Sequence, residues 1–157
     1  MKNILFVVSI LFLILSCKKD KEKLPQSITE SNAVIVTDTT LIDGVLLELI
    51  DNNGKAELKI DSKLSGSGSI KISPPCYFLR WEGNKVENFS YPDAGVDHTL
   101  VILGNIDKKS GRICGKGLQG LLFKKDSIVI TPKTLTHSFT CADSGADEKI
   151  FWGFAHD

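Results

Sequence analysis

No apolar run in this sequence approaches the 18–20 or so residues that a membrane-spanning helix requires. There is no C-x-x-C or comparable paired Cys/His spacing, which sets aside a structural zinc site. The charge is not of one sign: 19 Lys and Arg balance 19 Asp and Glu. These charges are interspersed, so no basic face for nucleic acid is expected. Helical periodicity does not persist beyond about ten residues, and no internal repeat is visible, which sets aside helical bundles and repeat arrays. No Ser/His/Asp order or carboxylate pair stands out, so an enzyme is not expected. "GRICGKG" is too short between its glycines for a phosphate loop, and Gly117 stands where a Ser or Thr would hold magnesium. "DNNG" (Asp51 to Gly54) has too few oxygen ligands for calcium. No cofactor and no metal are expected.

What is present begins with a leader. Lys2 precedes an apolar core from Ile4 to Leu15, a length that suits a signal peptide. It closes on "LILSC", with Ser16 before Cys17. This resembles the lipobox of bacterial lipoproteins, with Ile14 where Leu is usual. The resemblance implies a signal peptide at 1–16 and lipidation of Cys17. "KKDKEKLPQS" follows, charged and proline-bearing, so 17–30 is expected to be a lipidated N-terminus and solvated tether. Lys18 at the second mature position argues against retention at the inner membrane. The expected location is the outer membrane, lipid-anchored, facing the periplasm or the cell surface.

Residues 31–157 suit one domain with one core. Leu41 to Ile50 reads as one long strand with a bulge or bend at Gly44. "DNNG" is turn chemistry, and "KAELKI" alternates with Ala56, Leu58 and Ile60 on one side. "LSGSGS" reads as a flexible connection, and Ser69 to Ile72 and Tyr77 to Trp81 read as short strands. "EGN" and "DKKSG" are turns, "YPDAG" is a loop, and "HTLVILGNI" is a central apolar strand. "SIVI" and "THSFTC" are strand-like and separated by Thr131-Pro132, while Ala146 to Trp152 allows one short helical turn. The expected class is all-β, a small barrel or sandwich.

With Cys17 assigned to lipid, Cys76, Cys114 and Cys141 remain. Outside the cytoplasm they predict one disulfide and one leftover thiol, with three possible pairings. His98, His137 and His156 lie in no local pattern that would make Cys76 a nucleophile, and His137 reads as a surface or edge residue. Cys76 is therefore read as a staple. It lies in "SPPCYF", where the prolines stiffen a loop and Tyr77 and Phe78 are of the type that anchors interfaces. Ser73, Pro74, Pro75, Cys76, Tyr77 and Phe78 are the candidate binding residues. The same loop reads equally as a plain connection between two strands.

The order of features resembles the netrin-like module of the tissue inhibitors of metalloproteinases, an OB-fold barrel. Gly66, Cys76, Gly104, Gly111 and Cys114 occupy the family's places in order, over about Asp38 to Cys114. With the lipobox, the chain resembles the potempin-like protease inhibitors of Bacteroidota. The resemblance implies a small OB-fold-like β-barrel that blocks a secreted endopeptidase, a metalloprotease first, with Ser73 to Phe78 entering the cleft. In the animal members an N-terminal cysteine chelates the target's zinc through its free amine. Here Cys17 would be acylated and far from the barrel, so that arrangement does not carry over. The resemblance places Cys76 and Cys114 at strand ends on one rim and favours a Cys76–Cys114 bridge, with Cys76 otherwise paired to Cys141 or left free. The alternative function is a non-enzymatic surface lipoprotein that binds a glycan or small ligand.

Overall fold

The computed structural model describes residues 34–82, 84–107 and 111–157. The expected signal peptide (1–16), Cys17 and the tether (17–30) lie outside the described residues, as do 108–110 of the "DKKSG" turn. The described chain has an all-β, small barrel-like fold with one short helix.

It opens with an antiparallel meander of β1 (Val34–Ile42), β2 (Val45–Asn52) and β3 (Lys55–Asp61). Both connections are two-residue turns with positive φ at each position: 49° and 79° at Asp43-Gly44, and 53° and 84° at Asn53-Gly54. Such turns match the twist of the strands they join. The single strand expected over Leu41 to Ile50 is thus two strands, and Gly44 is half of a hairpin turn rather than a bulge. Ile42, Val45, Leu47, Leu49 and Ala56 point into a first core, with Leu58 and Ile60 packed against it. The alternation expected of "KAELKI" is observed.

"LSGSGS" is more ordered than its composition implies. Ser65–Ser67 form β4, which runs parallel to a later strand, β11 (Ser127–Leu135). Gly68 follows with φ +88°, and a Cβ there would lie 2.3 Å from the Ile130 carbonyl oxygen. Glycine here allows close approach of two backbones, not flexibility. Ser69 to Ile72 is not a strand. Its backbone is held by a side chain instead: Lys71 N donates to Gln119 Oε1 at 2.8 Å, and Gln119 Nε2 donates to Ser69 O at 3.0 Å.

Tyr77–Phe78 form β5 and Arg80–Trp81 form β6, which pairs with β7 (Lys85–Val86). The expected Tyr77 to Trp81 strand is therefore divided between two sheets. β8 (Phe89–Tyr91) and a 3-10 turn at Pro92–Ala94 lead into β9 (Val96–Ile106), and β10 (Cys114–Lys124) returns beside it. The main sheet has the order β4-β11-β10-β9-β5. Both faces of its centre are covered. Leu100, Ile102, Leu121 and Phe123 face the first core. Val101, Leu103, Leu118 and Leu122 face a second core with Phe151 and Phe154 of α1 (Glu148–Ala155). Burial on both faces explains the unbroken apolar run in β9.

β11 runs straight through Pro132, the expected break, because the register with β10 shifts between Gln119 and Leu121. A bulge is where a strand tolerates proline. The fully buried Gln119 replaces the lost ladder bonds, with Nε2 donating to Thr131 O at 2.7 Å.

β12 (Thr140–Cys141) pairs with the start of β10, with Cys141 directly opposite Cys114. These two form the disulfide, while Cys76 is free and buried. The favoured Cys76–Cys114 pairing is thus corrected. Strand register sets Cys141 against Cys114, whereas Cys76 points into the first core.

Candidate functional site

The loop from Ser73 to Phe78 lies at a rim where β1, β5 and β9 meet. Asn105 fastens its entry: Ser73 N donates to Asn105 Oδ1 at 2.7 Å, and Asn105 N donates to Ser73 O at 2.9 Å. Thr37, at the β1 register shift, donates its hydroxyl to Cys76 O at 2.7 Å. Tyr77 and Phe78 then pair with Leu103 and Ile102 of β9. The Pro74-Pro75 peptide is cis.

This arrangement splits the six candidate residues. Ser73 is exposed, and Pro74, Pro75 and Tyr77 are half-buried. Cys76 and Phe78 are core residues at 1% and 0% exposure. Phe78 is therefore not available as a docking anchor, because strand alternation sends it into the first core, while Tyr77 packs half-buried against the second core and lines the cleft at the rim. Burial, followed by the charge of Asp51, pushes the Cys76 thiol up to about 12, so it is not a thiolate at neutral pH. The thiol donates to Ser73 O at 3.8 Å.

Beside Tyr77 is a cleft of about 360 Å³ lined by Thr37, Tyr77, Arg80, Arg112, Ile113 and Ala142 among others. The disulfide flanks its far wall. Ala142 N donates to Ile113 O at 2.8 Å, and Arg80 N donates to Ala142 O at 2.7 Å. Arg112 pairs with Asp143 and donates to Ser144 Oγ at 2.9 Å, and its hydrogen bond holds the Asp143 carboxyl below the usual range.

Asp38 of β1 and Arg80 of β6 join the meander to the β6–β7 hairpin at this rim. Arg80 Nη1 and Nη2 donate to Asp38 Oδ2 and Oδ1 at 2.6 and 2.8 Å. Asp38 also accepts from the backbone N–H of Phe78 and of Thr39, each at 2.8 Å. Arg80 in turn donates to Phe78 O and Thr39 O, each at 3.1 Å. Ile42 and Val45 flank a two-residue turn as a hydrogen-bonded pair, so Thr39 turns its main-chain groups away from β2. The Asp38–Arg80 clasp takes up those groups and covers an edge that would otherwise be open.

Sequence reasoning missed this clasp, whose members lie far apart in the chain. It also missed three exposed apolar residues at the start of β1: Val34, Ile35 and Val36, at 61%, 55% and 48% exposure. The β-branched triplet was their only signal. They adjoin Thr37 and thus the Cys76 carbonyl, and Ile113, 44% exposed, lines the nearby cleft.

The histidines are dispersed. Nε2 of His98 lies 2.7 Å from Asp43, His156 contacts Asp93, and exposed His137 lies between β11 and β12. Among the described residues, no group of three or more His, Cys, Asp or Glu could hold a metal ion. Compared with protein-family models, curated proteins and solved structures, the chain shows no match.

Proposed function

We propose that this chain is a lipid-anchored extracytoplasmic protein that binds and blocks a secreted endopeptidase, a metalloprotease first, without chemistry of its own. The observation that carries this reading is the rim. Thr37, next in sequence to the exposed Val34–Val36, donates to the carbonyl of Cys76 between Pro75 and Tyr77, and hydrogen bonds exchanged between Ser73 and Asn105 also hold the loop. A loop held in this way loses little conformational entropy on docking. Exposed apolar side chains and an aromatic are the composition of an interface centre, and the ion-paired Asp38, Arg80, Arg112 and Asp143 border the cleft beside them. The docking set is Ser73, Pro74, Pro75 and Tyr77 with Val34–Val36, and the parallel β4–β11 pairing is compatible with an OB-like barrel. For a glycan-binding module, aromatics gathered on one sheet face would be expected. The exposed Trp81, Phe139 and Trp152 instead come from β6, a loop and α1.

The test is inhibition of a panel of secreted metallo- and serine endopeptidases by the purified protein. Tyr77→Ala is expected to weaken inhibition by about tenfold to hundredfold, or about 1–3 kcal/mol, and Val36→Asp to act in the same direction. Circular dichroism should remain unchanged in both variants. Absence of inhibition at micromolar concentration, or variants as potent as the wild type, would refute the reading.

A further inference from the structure

The C-terminal helix ends on His156, and both nitrogens of its ring are engaged. Nδ1 lies 2.9 Å from the carbonyl oxygen of Trp152, and Nε2 lies 3.0 Å from Oδ2 of Asp93 in the Pro92–Ala94 turn. A carbonyl oxygen can only accept, and so can an ionised carboxylate. Both bonds form together only if both ring nitrogens carry protons, which makes the ring an imidazolium. Two further features favour that charge. His156 caps the C-terminal end of α1, the negative end of the helix dipole. Its ring also stacks on the Trp152 indole, with centroids 4.3 Å apart and planes 19° from parallel.

The hydrogen bond that His156 donates to Asp93, then the one it donates to the Trp152 carbonyl, raises the His156 pKa above its ordinary value, and the Asp93 carboxyl is held correspondingly low. The neighbouring titratable groups are few. Tyr91 of β8 meets the ring edge-on at 5.6 Å, and its hydroxyl is pushed up by burial and then by the charge of Glu148. Asp157, the next residue, is paired with Lys133 of β11 at 3.0 Å.

We propose that His156 is a pH-sensitive latch: as an imidazolium it ties the last turn of α1 to the Pro92–Ala94 turn, and on losing its proton it gives up one of its two bonds and loosens that end. The neutral ring has one N–H. If Nδ1 keeps it for Trp152 O, the Nε2 lone pair faces the Asp93 carboxylate and repels it. If Nε2 keeps it for Asp93, the Nδ1 lone pair faces the Trp152 carbonyl and the bond to Asp93 loses its positive partner. Because the folded state raises this pKa, the latch contributes fully below the unfolded value of about 6.5 and is lost as pH rises through the higher folded value. Loosening is local. Phe151 and Phe154, at 0% and 1% exposure, keep the body of the helix on the sheet.

The chain has two tryptophans, so Trp81→Phe in the full-length protein leaves Trp152 as its only indole. A stacked imidazolium quenches indole fluorescence, so emission should rise with pH at a midpoint above 6.5. Asp93→Asn should move that midpoint downward, and His156→Gln should abolish the transition. NMR titration of the histidine rings in the otherwise wild-type chain provides an independent reading if Trp81→Phe perturbs the fold. The His156 midpoint should fall in Asp93→Asn while those of His98 and His137 stay in place. A His156 midpoint at or below 6.5, or one that ignores Asp93→Asn, would overturn the latch.

Discussion

The Asp38–Arg80 clasp is a place where the loss of one polar side chain should cost this fold heavily. Asp38→Ala removes the carboxylate that accepts from both guanidinium nitrogens and from two backbone N–H groups, those of Phe78 and Thr39. It leaves a guanidinium in a site where the two side chains keep only 16% and 13% of their exposure. Removing one member of a buried pair typically costs about 3–5 kcal/mol, and the residual solvent contact places this variant near the lower end, about 3 kcal/mol. Arg80→Ala should cost less, about 2 kcal/mol, because the carboxylate it leaves behind still accepts from two amides. Asp38→Ala/Arg80→Ala should be better tolerated than the sum of the singles by about 1 kcal/mol or more, since the second change removes the stranded partner. Urea unfolding followed by circular dichroism measures all three. Single losses below about 0.5 kcal/mol, or strict additivity in the double variant, would show that the clasp does not close the seam.

Three further outcomes concern the cysteines. Metabolic labelling with a fatty-acid analogue is expected to mark the wild type and not Cys17→Ala, and equal labelling would exclude lipidation there. Non-reducing peptide mapping should recover Cys114 joined to Cys141, with Cys76 alkylated only after unfolding. Cys141→Ala should cost about 3–4 kcal/mol by loop-closure entropy across a separation of 27 residues. Recovery of a Cys76 bridge would contradict the register.

How much of this could be read along the chain depends on the range of the interaction concerned. The Asn53-Gly54 turn and the alternation of β3 were legible because neighbouring residues specify them. The Asp43-Gly44 turn carries the same chemistry, but the apolar residues on both sides disguised it as a bulge in one strand. The glycines of "LSGSGS" looked like slack. Their role is visible only when β11 is brought alongside and Gly68 meets the Ile130 carbonyl. In the candidate site, the loop and Tyr77 could be named in advance, but the burial of Phe78 and the exposure of Val34–Val36 could not.

Composition and local pattern by themselves determined an all-β chain, its main hairpin, its central apolar strand and the presence of a disulfide. Only the tertiary structure decided which cysteines pair, which face of "CYF" is buried, how β11 passes Pro132, and that Asp38 and Arg80 close the seam. The first group follows from φ/ψ preference and the period of side chains along a strand, which act between near neighbours. The second depends on register between strands remote in sequence, where a shift of one residue reverses every side chain and no local signal records the choice.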